Sequence, residues 1–264
     1  MWRKQLLYTE EKLKQYAEKI HQAKLIISDI DGVVLVDRQI SPGAVEFFNC
    51  RPFVFLSNNS RFTVNSLATY FRKRGLNIDN QHIFLAGVQS INYLCSQNFD
   101  KPIALSANKE LKKFAQMQGL NILDRGDWCK AQKVVLCSDS ELKFREFEVL
   151  INLAARGVSF VCANPDFTYP GESHLYAETG CVLAALKSAV PTIRYQIMGK
   201  PEITMLELAL KKHRIEPQEA VFIGDNPKTD GLCAKKAGMD FVYVDIATGI
   251  SPSMLFGYLA RNLR

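Results

Sequence analysis

KLIISDIDG, residues 24–32, joins an unbroken apolar run to two aspartates and a glycine. Continuous rather than alternating hydrophobicity fits a strand covered on both faces, as in a parallel sheet. Five further runs end just as abruptly: FVFL before Ser57, VVLC before Ser138, VSFVCA before Asn164, AVFIG before Asp225 and FVYV before Asp245. Between them lie helix-period stretches. Val64, Leu67, Ala68 and Phe71 follow Thr63 at helical spacing and stop at Gly75, and Phe144–Ala155 is amphipathic ahead of Gly157. Pro201 is expected to open another helix, and the segment after Asp230 runs to Gly238. Strand and helix alternating in this way predict an α/β fold, a doubly wound parallel sheet whose ligands gather at the carboxyl ends of the strands.

The spacing of the polar ends predicts a second domain. Ser57 and Lys200 are separated by a long segment with its own strands and helices, whereas Lys200 and Asp225 are close in sequence. We therefore expect a discontinuous Rossmann-like core, residues 1–96 and 191–264, carrying an inserted smaller α/β cap over 97–190.

Composition narrows the partners. The net charge of +6 is spread along the chain rather than gathered in Lys/Arg blocks with interleaved aromatics, so a nucleic-acid polymer is not expected. No run reaches the roughly 20 apolar residues of a membrane span, and the charged N-terminus does not read as a signal peptide. Seven scattered cysteines without a CxxC pair suggest reduced thiols and a cytoplasmic protein without structural zinc.

The chemistry-bearing residues sit at the ends of the apolar runs. Asp29 and Asp31, two apart in extended chain, point to one side, so one carboxylate could attack phosphorus while the other exchanges protons. An ordinary Asp-Gly turn fits the same residues. Ser57 and Asn58 open a polar turn with free N–H groups suited to phosphoryl oxygens, although a plain strand-to-helix connection reads alike. Lys200, between Gly199 and Pro201, can balance phosphate and carboxylate charge. Asp225 and Asp230 in GDNPKTD add hard oxygen donors of the kind magnesium takes.

Taken in order, these segments resemble the haloacid dehalogenase-like superfamily, and all four of its signature segments are present. SPGA at 41–44, SNNS at 57–60, ANPD at 163–166, ETGC at 178–181 and GKP at 199–201 are similar to its NagD-type and p-nitrophenyl phosphatase branch with a large α/β cap. The resemblance implies a magnesium-dependent phosphatase of small phosphorylated metabolites working through an aspartyl phosphate. It implies Asp29 as nucleophile, Asp31 as general acid/base, and Ser57, Asn58 and Lys200 as phosphate binders. Asp29, Asp31 (through its main-chain carbonyl) and Asp225 would hold Mg2+, supported by Asn226 and Asp230, and Asp166 and His174 would face substrate from the cap. A homodimer through the cap is a further implication, and phosphoryl transfer to a sugar or a silent phosphate-binding scaffold are the alternatives.

Three departures accompany the resemblance. The segment from Pro42 to Arg51 is short, the stretch TYPGESHLYAETG differs from the commoner form, and little chain follows FVYVDIATGI. The first twenty residues form an extra charged amphipathic segment, expected to pack on the core as a helix.

Overall fold

The structure is a computed structural model that describes residues 2–170 and 174–262. The chain divides into two compact units, one of residues 1–57, 65–84 and 203–264 and the other of residues 58–64 and 85–202.

The first unit is built on a five-stranded sheet in the order Asp240–Tyr243, Ala220–Gly224, Leu25–Ser28, Phe53–Ser57, Ile83–Leu85. The central strand Leu25–Ser28 pairs in parallel with both neighbours, setting Ser28 opposite Ile223 on one side and Phe55 on the other. All four of its residues are buried, as its unbroken apolar run requires. The short helix Ala44–Asn49 compensates for its length with aromatic packing: Phe48 lies 5.0 Å from Phe47, Phe53 and Phe55 and 5.3 Å from Phe256. Gly43 is obligatory at the start of this helix, because its φ is 83° and a Cβ there would come within 2.7 Å of the Phe256 main chain. The N-terminal segment is a helix, Trp2–Gln22, that buries Leu13, Ala17 and Ile20 and pairs Lys19 with Asp240 at 2.6 Å. A closing helix, Pro252–Arg261, buries Leu255, Phe256 and Leu259.

One helix starts later than the sequence suggested. Thr204–His213 begins after Pro201, because Glu202 N–H first closes a turn onto the Gly199 carbonyl, and helical bonding starts when Glu207 N–H reaches Ile203.

The second unit has a four-stranded parallel sheet in the order Tyr195–Ile197, Ser159–Cys162, Lys133–Leu136, Ile103–Ser106. Its core gathers Trp128, Val134, Leu136, Leu150, Leu153, Phe160 and Leu186. An antiparallel hairpin pairs Thr168–Pro170 with Leu175–Ala177. Strand Tyr195–Ile197 hydrogen-bonds to Ser159–Cys162, which draws in the chain as far as Glu202, and Gly87 N–H donates to the Asn59 carbonyl, which ties helix Ala86–Ser96 to the same unit.

Among the described residues, no helix is long and apolar enough to cross a membrane.

Candidate active site

Register alone places the acidic residues of the first unit. With Ser28 level with Ile223 and Phe55, the next residues along three adjacent parallel strands are Asp29, then Gly224 and Asp225, then Leu56 and Ser57. Parallel strands lie roughly 4.8 Å apart, so their carboxyl ends form one edge. Asp29 N–H continues the ladder onto the Ile223 carbonyl at 2.9 Å, so the side chain emerges where the sheet stops. Its Oδ1 accepts the Ile30 N–H at 2.7 Å, which fixes the carboxylate.

Carboxylate oxygens of Asp29, Asp225 and Asp230 all lie within 4.8 Å of one another. Asp29 is 8% exposed and Asp230 fully buried, and burial of this much like charge is costly without a cation. Three hard oxygen donors of this kind suit a divalent cation such as magnesium. The backbone is shaped around them. Gly32 (φ 82°) leaves room for Asp225, since a Cβ there would fall 1.9 Å from the Asp225 Oδ2. At Gly224 a Cβ would come 2.5 Å from the Asp230 Cβ. Asp230 is turned inward by a wide turn over Pro227–Gly231, in which the Asp230 and Gly231 N–H groups both donate to the Asn226 carbonyl. The Asp230 Oδ2 in turn accepts the Asn226 N–H at 3.1 Å, and the Asn226 side chain caps the turn through Lys228 N–H at 3.0 Å. Asp31 is exposed at the following bend and does not belong to the three-carboxylate group, while Ser57 ends its strand fully buried.

The remaining candidates belong to the second unit. Lys200 is 1% exposed, among the largest fully buried side chains. Its main chain is held by Asn58: Lys200 N–H donates to Asn58 Oδ1 at 2.7 Å, and Asn58 Nδ2 donates to the Lys200 carbonyl at 3.0 Å. The second Nδ2 hydrogen goes to Asp166 Oδ2 at 2.9 Å. Both side-chain donors of Asn58 are therefore used within the protein, and its main-chain N–H is what the residue can offer a phosphate. Asp166, expected to face substrate, has its carboxylate on Asn58, whereas His174 lies on the exposed hairpin with its ring 4.2 Å from Tyr176.

Several interacting residues of the second unit were given no role from the sequence. Glu178 is buried and its Oε1 accepts from Ser60 Oγ at 2.9 Å, Thr179 N–H at 2.9 Å and Thr179 Oγ1 at 2.8 Å. Ser60 Oγ accepts the Ser138 N–H at 2.9 Å. On the hairpin, the Arg61 guanidinium stacks 3.7 Å above the Tyr169 ring, and Tyr169 stacks on Tyr176. Alternating tyrosines in TYP and LYA were the available signal, but Arg61 is remote in sequence.

The chain is similar to known proteins along most of its length. Residues 26–121 match the haloacid dehalogenase-like hydrolase family, and residues 197–253 match a second description, HAD-hydrolase-like. A dihydroxyacetone phosphatase of Corynebacterium glutamicum is 30% identical over 230 residues, covering 85% of this chain and 81% of that one. The ribonucleotide monophosphatase NagD of Escherichia coli is 25% identical over 226 residues, covering 84% and 87%. A p-nitrophenyl phosphatase from Archaeoglobus fulgidus superposes with a TM-score of 0.78 at 22% identity, over 91% of this chain and 92% of that chain. The chain belongs to the haloacid dehalogenase-like hydrolases. Within them it falls in the NagD-type phosphatase branch, hydrolases that act on phosphoric monoesters.

Proposed function

We propose that the protein is a magnesium-dependent phosphatase of small phosphorylated metabolites that forms an aspartyl phosphate on Asp29. The observation that carries this reading is the meeting of Asp29, Asp225 and Asp230 oxygens within 4.8 Å at the end of a parallel sheet. Similarity to a dihydroxyacetone phosphatase and to a ribonucleotide monophosphatase supports a small phosphomonoester as substrate, with triose phosphates ranked first because that relative is the more similar.

Asp29 attacks phosphorus as the bond to the departing alkoxide breaks, and Asp31 donates the proton that turns the alkoxide into an alcohol. Asp31, now ionised, takes a proton from water as that water attacks phosphorus, and the Asp29 carboxylate is released with inorganic phosphate. Exposure of Asp31 is consistent with a group that trades protons with solvent. Asp29, Asp225 and Asp230 would hold Mg2+, together with the Asp31 carbonyl. Bound there, magnesium would offset the charge of the carboxylates and of the phosphoryl oxygens. The Lys200 ammonium and the Ser57 hydroxyl bind phosphoryl oxygens, and the depth at which the lysine is buried strengthens its pull on a dianion. We assign residues 58–64 and 85–202 to the cap side of the chain and the rest to the catalytic core, moving the boundaries drawn from sequence.

Phosphate release from p-nitrophenyl phosphate, dihydroxyacetone phosphate and a nucleoside monophosphate, with magnesium and with EDTA, tests the reading. Release that requires magnesium and disappears in Asp29→Asn is expected. Undiminished release from Asp29→Asn would overturn the nucleophile.

A further inference from the structure

Asn58 grips both main-chain polar groups of one residue, the buried Lys200, and is itself held by Asp166. We propose that Asn58 and Asp166 are positioning residues that set Lys200, neither side chain acting as a ligand of the substrate; this rests on the reading of Lys200 as a phosphoryl binder.

The hydrogen-bond inventory forces the orientation of the Asn58 amide. The Lys200 carbonyl and the Asp166 carboxylate only accept, so the Asn58 Nδ2, 3.0 and 2.9 Å away, must face them, which leaves Oδ1 for the Lys200 N–H at 2.7 Å. Turning the amide over would set an oxygen against two acceptors and a nitrogen against a donor. Asp166 reinforces the orientation that the two Lys200 main-chain groups require and takes the second Nδ2 hydrogen. The chain around Asp166 is fixed in turn by Asn164, whose Oδ1 accepts the Asp166 N–H at 3.1 Å and whose Nδ2 donates to the Asn58 carbonyl at 2.7 Å. Asn164 is fully buried.

Neighbouring glycines are consistent with a site built to tolerance. A Cβ at Gly199 would lie 2.5 Å from Asn58 Oδ1 and 2.6 Å from the Ala163 carbonyl, whose oxygen accepts the Gly199 N–H at 2.7 Å. At Gly180 a Cβ would lie 2.2 Å from the Pro165 carbonyl, beside the Gly180 N–H bond to the Asp166 carbonyl at 2.9 Å. ANPD, SNNS, ETGC and GKP are therefore parts of one clamp on the lysine's backbone. Side-chain burial of Lys200 leaves its ammonium little room to correct for a displaced backbone, so errors in the clamp pass to the ammonium.

The test compares Asn58→Ala, Asp166→Ala, Asp166→Asn and the Asn58→Ala/Asp166→Ala double variant. Steady-state kinetics use p-nitrophenyl phosphate and dihydroxyacetone phosphate, and calorimetry measures the affinity for inorganic phosphate. Asn58→Ala is expected to lower kcat/KM by about tenfold to a hundredfold, the scale of small misplacements of a catalytic group, and by the same factor for both substrates. Phosphate affinity falls with it. Asp166→Ala shows a smaller loss of the same kind, Asp166→Asn restores most of it because its amide oxygen still accepts, and the double variant is no worse than Asn58→Ala. Losses that multiply in the double variant, or an Asp166→Ala defect confined to one substrate, would place Asp166 on the substrate and overturn the proposal. Wild-type-like kinetics and phosphate affinity in all variants would also overturn it. Should Asn58→Ala not fold, the Asp166 pair carries the comparison alone. A wild-type protein that releases no phosphate sinks the catalytic reading, while phosphate affinity across the variants still decides the clamp.

Discussion

A methyl group on Gly32 would stand 1.9 Å from the Oδ2 of Asp225, far inside the contact distance of two unbonded atoms. The glycine also has φ 82°, a backbone region that costs an L-residue about 1–2 kcal/mol. Gly32→Ala therefore has to move Asp225, the Asp29–Gly32 bend, or both. We expect a chain that still folds, with kcat reduced on the order of a hundredfold. Its magnesium affinity, measured by calorimetry, should fall as well. Wild-type affinity in this variant would show that Asp225 does not depend on the space left by Gly32.

Asp230 was expected to support the site, and it lies within the three-carboxylate group. Asp230→Ala removes one oxygen donor and the acceptor that holds the Asn226 N–H at 3.1 Å. A loss of about 10–100-fold in magnesium affinity is expected, the range typical for residues that orient or complete a metal site. Titrating p-nitrophenyl phosphate hydrolysis with magnesium reads this directly: the concentration for half-maximal rate should rise while added magnesium recovers most of the rate.

The difference between Asp29 and Asn58 shows how much was legible in the sequence. Asp29 follows a buried apolar run, and parallel pairing carries it to the sheet edge beside Asp225 and Ser57, so local pattern and register suffice. Asn58 belongs to an equally visible segment, yet what its amide binds is set by Lys200 and Asp166, both more than a hundred positions away. No local periodicity encodes that. Glu178 was hidden for the same reason, since its partner Ser60 is 118 positions distant. Strand Tyr195–Ile197 was not legible either, because it is short and largely exposed, which gives it no apolar run to read.

Stability of the first unit should depend heavily on Phe48. It is 1% exposed and rings of four other phenylalanines surround it within 5.3 Å. Helix Ala44–Asn49 is too short to stand on its own hydrogen bonds, so this packing is what fixes it. Phe48→Ala is expected to cost about 3–5 kcal/mol. The urea midpoint should drop accordingly, and Phe48→Leu should recover part of the loss.

Cysteine chemistry gives a prediction with a definite sign in pH. Burial pushes the Cys162 thiol from its ordinary value of 9.0 up to about 12, and burial, reinforced by the nearby Glu178 charge, pushes Cys137 up as well. In the unfolded chain both thiols ionise near their ordinary value. Between about pH 9 and pH 12 the unfolded state therefore binds fewer protons than the folded one, so stability present below that window is lost as pH rises through it. The urea midpoint should fall as pH rises above about 9, and the fall should be shallower in Cys162→Val. The same burial predicts which thiols react. A water-soluble disulfide reagent at neutral pH should modify the exposed Cys50 and Cys129 in the native protein and reach Cys137, Cys162 and Cys233 only after denaturation. Rapid native labelling of Cys162, identified by peptide mass, would contradict both its burial and the pH slope.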